Sequence, residues 1–175
     1  MATTFFQRLF RPAKGREAFL PLYRAIVAEA RTPIWYAEGT VPDTLDGRFD
    51  MVGAILSIVL IRLEAAGEQG QSPAVLLTEI FVDDMDGQLR EAGIGDIIVG
   101  KHIGKMMSAL GGRIAAYRAG INDNDTLDAA LIRNLYRGEA PAPENLKIVR
   151  DRYLSVHGHL AEMPLPAILS GTITA

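Results

Sequence analysis

The stretch from Phe49 to Gly67, FDMVGAILSIVLIRLEAAG, places the strongest constraint on how this chain folds. Between Met51 and Ile61 every residue is apolar except Gly53 and Ser57. Such a run is too short to cross a bilayer, which takes about 20 apolar residues, and longer than most strands. At about 100° per residue its polar positions form one narrow stripe, which consists of Asp50, Gly53, Ser57 and Glu64. We therefore predict a buried helix at about 49–66 that other helices surround.

Length and composition indicate one globular domain. A chain of 175 residues with 49% hydrophobic residues is long and apolar enough to bury a sizeable core. It has no cysteine, which excludes disulfides, thiolate metal sites and cysteine nucleophiles. The net charge of −3 argues against nucleic acid as the main partner.

Apolar residues recur at helical spacing on both sides of the central stretch. Arg16–Arg31 is predicted to be a helix that ends before Pro33, and Ile34–Arg48 a structured loop. Ser72 and Pro73 are expected to begin a helix that runs to about Ala92. Three further helices are predicted at about 100–117, 124–137 and 144–161.

These helices predict an all-α fold, a single compact domain of about six helices around the central one. The expected boundaries are a basic amphipathic segment at 1–15, the helical domain at 16–162 and a C-terminal tail at 163–175. The tail is broken by prolines and mildly apolar, and is expected to lie back on the domain.

The helix predicted after Ser72 carries a row of acidic residues opposite its apolar face. The row consists of Glu79, Asp83 and Asp86, at i, i+4 and i+7, followed by Arg90, with Asp84 and Glu91 beside it. Like charges at this spacing repel by a few tenths of a kcal/mol per pair, so folding alone gains little from them. Two interpretations stay open: a solvated face, or a docking surface for a basic partner.

The first sixteen residues are basic and contain no acid. A short helix there would place four apolar residues on one face beside two arginines; these six are Phe5, Phe6, Arg8, Leu9, Phe10 and Arg11. The segment lacks the long apolar region and cleavage site of a secretory signal. It is a membrane-contact segment for anionic lipid, a frayed terminus, or a segment that packs on its own domain or on a partner.

Candidate motifs for catalysis and metal binding are either incomplete or better explained by structure. The glycines at 95 and 100 precede Lys101 as in a phosphate-binding loop, but His102 stands where Ser or Thr should hold magnesium. His157, His159 and Glu162 are better explained as a solvated helix end than as a metal site. No arrangement for nucleophilic catalysis is visible. We therefore expect a protein that is not an enzyme and that uses no cofactor and no metal.

Several ordered blocks resemble the ubiquinol–cytochrome c chaperone family. They are FDMVGAILSIVLIRLEA, FVDDMDGQLREAGIGD, Lys101, GGRIAAY and LDAALIRNLYRG, and the resemblance runs from about Phe19 to Gly138. It implies a non-catalytic, all-helical chaperone of bacterial type that binds cytochrome b during biogenesis of ubiquinol–cytochrome c reductase. A second chaperone subunit and the ribosome are further partners that it leaves open. The implied location is the bacterial cytoplasm, with peripheral contact at the inner membrane.

The resemblance also marks candidate partner-binding positions, to which the acidic row adds Glu79. They are Glu79, Asp83, Asp84, Asp86, Arg90, Glu91, Asp96, Lys101, Arg113, Tyr117, Arg133 and Asn134. Two glycines, Gly112 and Gly120, depart from the larger residues commoner in the family, which leaves the packing of their helix open.

Acidic residues suit such a client, because cytoplasmic loops of membrane proteins carry an excess of Lys and Arg. Two alternatives remain. One is a helical metal-dependent hydrolase that uses Asp83, Asp84 and Asp86. The other is a dimeric scaffold whose small-residue face is a self-interface; this face comprises Gly104, Ser108, Gly111, Gly112 and Ala115.

Overall fold

The structure is a computed structural model that describes residues 15–91, 93 and 96–174, with the backbone alone at 96–99, 102, 103 and 106. Throughout these ranges the regular elements are helices, so the all-α prediction is confirmed. The six residues of the expected membrane-contact segment lie outside the described ranges.

The helices follow one another through short connections. A 3-10 turn at Arg16–Phe19 leads into α1 (Leu20–Ala30), α2 (Pro33–Ala37), α3 (Leu45–Ala65), α4 (Glu68–Glu91), α5 (Asp96–Gly120), α6 (Asn124–Leu135), α7 (Pro143–Glu162) and α8 (Leu165–Leu169). In the described part of the chain, the six longer helices are those expected, and α2 and α8 are short additions.

Helix α3 lies at the centre of the core, as predicted. Every residue from 51 to 60 is buried, and α1, α4, α5, α6 and α7 all pack against this helix. It begins at Leu45, earlier than expected, because the hydroxyl of Thr44 accepts a hydrogen bond from the Gly47 amide (3.1 Å) and caps the first turn.

The polar stripe of α3 faces α5, with Asp50 largely covered and Glu64 half exposed. Asp50 pairs with Arg113 and Glu64 pairs with Arg118, near the two ends of the stripe. Between them the Ser57 hydroxyl donates to the Gly53 carbonyl oxygen (2.6 Å), which satisfies a buried polar group inside the helix itself. The stripe therefore sets which side of α3 receives the basic side chains of α5.

The predicted start of α4 is wrong. Helix α4 begins at Glu68 instead of Ser72, so Pro73 lies inside the helix. Gly67, in the left-handed conformation (φ 63°), turns the chain directly into α4, and Gly70 packs where a Cβ would overlap the Leu63 carbonyl oxygen. This tight turn starts the helix early, and the proline loses only the one hydrogen bond that its missing N–H would have donated.

The expected loop at Ile34–Arg48 is helical at both ends. Trp35 lies in α2 and is buried, and its indole N–H donates to the Glu29 carbonyl oxygen (2.8 Å) at the end of α1. The five residues of α2 show no helical pattern in the sequence. This tertiary contact and Pro33 in the first turn therefore stabilise the helix.

The residues after α7 pack back onto the helical domain. Ile168 and Ile173 are buried, and Gly171 lies against the backbone of Pro21 in α1. The guanidinium of Arg62 donates to the carbonyl oxygens of Leu160 (2.8 Å) and Met163 (3.1 Å), which fixes the turn into α8. None of the helices within the described ranges is long and apolar enough to span a bilayer.

Candidate partner-binding surface

The acidic row lies on α4 as the sequence predicts. Phe81, Met85 and Leu89 are buried on the opposite side of the helix, where they pack in the core. The acidic residues are therefore not required for the apolar packing of α4, and their surroundings decide what they do.

Arg16 already occupies part of the acidic row. Its guanidinium pairs with the carboxylate of Asp83, and its Nε lies 4.0 Å from Oε2 of Glu79. The side chains of Arg16 and Glu79 are only 17% and 18% exposed, whereas Asp83 remains 44% exposed. A basic group from the 3-10 turn, far away in sequence, thus covers one side of the row.

The other acids of α4 point to different partners. Asp84 accepts a hydrogen bond from the Tyr23 hydroxyl (2.6 Å), which joins α4 to α1, and burial and this bond both raise the pKa of Tyr23. Asp86 pairs with Arg90 one turn along the helix (2.6 Å). Glu91 is exposed.

No metal-binding cluster forms from these acids. Among the side chains that the structure describes, no group of three or more His, Asp or Glu is placed to hold a metal ion. Asp83, Asp84 and Asp86 diverge because each carboxylate is directed to its own cation or phenol.

A second cluster, the Arg113 group, lies at the start of α3 and consists of the marked residue Arg113 with Asp46, Asp50 and Arg137. Arg113 pairs with Asp50, and Arg137 lies 2.9 Å from Asp46 and 3.9 Å from Asp50. Burial raises the pKa of Asp50, and the two arginines oppose that shift. A small cavity of about 80 Å³ beside Arg113 is lined also by Phe81, so this group adjoins the apolar side of α4.

Tyr117 is a core residue and not a surface contact. It is fully buried, its ring stacks on Tyr153 with centroids 5.0 Å apart, and burial raises its pKa. The hydroxyls of both tyrosines are buried; that of Tyr117 lies beside the Asn134 amide, and that of Tyr153 has no hydrogen-bond partner among the described residues. Of the remaining marked residues, Arg133 and Lys101 are exposed, and the side chain of Asp96 lies outside the described part.

The small residues of α5 make no close helix contact with the described residues. Gly104, Ser108, Gly111, Gly112 and Ala115 are exposed, and a Cβ on any of the three glycines would meet no atom within 4 Å in the described part of the protein. The close approach of backbones that the sequence suggested is thus not made within the described fold.

The sequence interpretation missed a buried ion pair between α1 and α7. Glu29 is buried, and Arg152 donates to both of its carboxylate oxygens, at 3.0 and 2.8 Å. Glu29 lies three residues after Ile26, on the apolar face of α1. A charged residue at such a position was the signal that could have revealed the pair.

Comparison with known proteins gives two matches of wide coverage. The model of a family described as "Ubiquinol-cytochrome C chaperone" matches residues 37–175. The crystal structure of the Cbp3 homolog from Brucella abortus is similar at 32% sequence identity and a TM-score of 0.80, over 99% of this chain and 96% of that one. A search of curated protein sequences gives no match. The family match covers well over half of the chain and includes the acidic row, the Arg113 group and the C-terminal residues, so the chain belongs to the ubiquinol–cytochrome c chaperone family.

Proposed function

We propose that this protein is a non-catalytic assembly factor that binds cytochrome b while ubiquinol–cytochrome c reductase is built. The observation that carries the proposal is the family match over residues 37–175, and the similarity to a Cbp3 homolog over nearly the whole of both chains supports it. The proposed place of action is the bacterial cytoplasm at the inner membrane, where a second chaperone subunit or the ribosome would be a further partner.

The acidic row of α4 is the proposed docking surface for a basic segment of the client. Cytoplasmic loops of membrane proteins are rich in Lys and Arg, so their charge is complementary to this row. The contact of Arg16 supports the assignment, because a guanidinium from outside α4 is seated between Glu79 and Asp83. A basic client segment would displace Arg16 to reach the same carboxylates.

The Arg16–Asp83 ion pair can be broken by replacing either residue. The two replacements should change client binding in opposite directions. Asp83→Asn removes a carboxylate from the surface, so binding of a basic cytochrome b loop peptide should weaken. Arg16→Gln removes the competing cation, so the same peptide should bind more tightly. Each change should be about two- to fivefold, the range of an exposed ion pair worth up to about 1 kcal/mol. Fluorescence anisotropy at low salt measures both affinities with the full chain.

Because the two variants lose the same pair, any loss of stability is shared and cannot explain opposite changes in affinity. Lys147→Gln is a matched control, since it breaks an exposed pair with Asp151 elsewhere on the protein. Equal affinities for all four proteins would rule out the acidic row as the docking surface.

The cellular test uses the same variants in a strain that lacks this protein. Asp83→Asn should lower the amount of assembled ubiquinol–cytochrome c reductase while the protein itself stays at its normal level. A deletion strain in which the complex assembles normally would contradict the proposed function itself, whichever surface is used.

A further inference from the structure

A groove at the junction of α1, α2 and α3 shares no residue with the acidic row or the Arg113 group. It has a volume of about 520 Å³ and is lined by Arg31, Pro33, Tyr36, Ala37, Asp43 and Arg48. Its volume lies within the range of about 300–1,000 Å³ that is usual for binding sites.

The groove carries a net positive charge on a protein whose net charge is −3. Arg48 pairs with Asp43 (2.6 Å), which neutralises one of its two arginines. Arg31 is exposed and has no acidic partner among the residues that the structure describes. Its position at the end of α1 also complements the helix dipole, so its charge has a structural benefit as well.

The wall between the two arginines is apolar and fixed. The hydroxyl of Tyr36 donates to the Ala30 carbonyl oxygen (2.8 Å), which holds the ring in place, and Pro33 and Ala37 extend its surface. Burial raises the pKa of Tyr36 to about 12, in keeping with a ring that is partly covered at this wall.

We propose that this groove binds an acidic linear segment of a partner protein, with a carboxylate on Arg31 and a neighbouring apolar side chain against Pro33 and Tyr36. Guanidinium and carboxylate form paired, charge-assisted hydrogen bonds, which makes a carboxylate the best complement of an arginine that has no acid of its own. An extended peptide fits better than a small anion, because most of the lining side chains are exposed and a small-ligand site buries most of its ligand.

The proposal is tested by NMR with the full-length ¹⁵N-labelled protein and two short probe peptides. The acidic probe has the sequence Glu-Glu-Leu-Glu-Glu, and the neutral probe has Gln in place of each Glu. The acidic probe should shift the amide resonances of residues 31–48 and leave those of the acidic row unchanged. Equal shifts with the neutral probe, or no shifts with either, would overturn the proposal. Inorganic phosphate that produces the same shifts at the same concentration would overturn the choice of a peptide.

Two variants connect the shifts to the groove. Arg31→Gln should weaken binding of the acidic probe about fivefold, whereas Arg24→Gln, an exposed arginine on the same helix outside the groove, should leave it unchanged. Ala37→Glu adds a negative charge at an exposed lining position without removing a contact, and should abolish binding. Unchanged affinity in both Arg31→Gln and Ala37→Glu would place the acidic probe elsewhere and refute the proposal. Neither result depends on cytochrome b, so failure of the groove proposal would leave the proposed function unaffected, and the reverse also holds.

Discussion

Arg113 lies on α5 and contacts α3, and these contacts stabilise the packing of the two helices. Its guanidinium pairs with Asp50 and also lies close to Gly53. A Cβ added to Gly53 would be only 3.0 Å from Nη1 of Arg113. The side chains of Arg113 and Asp50 are 22% and 13% exposed. The family resemblance marks Arg113 and Tyr117 as partner-binding positions, which stays untested, but in the structure both residues also tie α5 to the rest of the core.

Replacing Arg113 with Met should destabilise the protein in a way that depends on pH. The pKa of Asp50 is already above its ordinary value of 3.8, so ionised Asp50 costs stability. This cost is absent below a pH of 3.8, grows between 3.8 and the folded-state pKa, and is constant above it. Without Arg113 this cost increases. We expect a loss of about 1–3 kcal/mol at pH 7.5 and a smaller loss at pH 4.5, measured by urea unfolding.

The double variant Arg113→Met with Asp50→Asn is the control, because Asn cannot ionise. It should remove most of the pH dependence of the loss. A loss that is the same at both pH values in the single variant would mean that packing of the Arg113 stem, and not its charge, is what matters.

At the scale of the helices, two glycines of α5 have opposite surroundings. A Cβ on Gly112 would meet no atom within 4 Å in the described chain, whereas a Cβ on Gly120 would lie 2.6 Å from the Cα of Leu127. Gly120 therefore permits the tight turn from α5 into α6, and Gly112 has no such role in the described fold. Gly112 and Gly120 both replace residues that are larger in the family. The described packing requires a glycine at position 120 but not at position 112.

Alanine at the two positions should change stability in opposite directions. Gly112→Ala should stabilise the protein by about 0.5–1 kcal/mol, because alanine has the higher helix propensity and nothing opposes its methyl group. Gly120→Ala should destabilise it by about 1–3 kcal/mol, because the backbone at Leu127 has to move. Urea unfolding midpoints measure both. A destabilising Gly112→Ala would indicate that this face is covered, and light scattering would then show whether a second copy covers it.

At the scale of the whole molecule, the N-terminal residues are the part whose role rests on the sequence alone. They carry Arg8 and Arg11 and join the described fold at the turn in which Arg16 meets the acidic row. The proposed contact of this segment with anionic lipid would bring the helical domain to a membrane surface.

Neutralising Arg8 and Arg11 should weaken binding to anionic vesicles. Basic residues near such a surface contribute about 1 kcal/mol each, so Arg8→Gln with Arg11→Gln should reduce partitioning tenfold or more in a sedimentation assay at low salt. The effect should shrink at high salt, because exposed charges are screened over about 10 Å at 0.1 M. The matched control neutralises the exposed Arg24 and Lys105. A similar reduction with the control would show that general charge, and not this segment, drives binding.

The sequence by itself determined the fold class and the centre of the fold. An apolar run as long as residues 51–61 is buried in almost any compact arrangement, and the apolar faces of the other helices then have to pack on it. The same periodicity identified the buried face of α4 and, through it, the side that carries the acidic row. Local spacing suffices for these features because each depends on residues within one helix.

Only the tertiary structure decided which polar residues meet. Arg16 with Asp83, Glu29 with Arg152 and Asp50 with Arg113 are each more than sixty residues apart, and no local pattern encodes their distances. The early start of α4 depended likewise on the fit of Gly70 against Leu63, which a local preference for Pro73 at a helix start could not reveal. The periodicity of a helix gives the direction of a side chain, whereas its partner depends on how the helices pack.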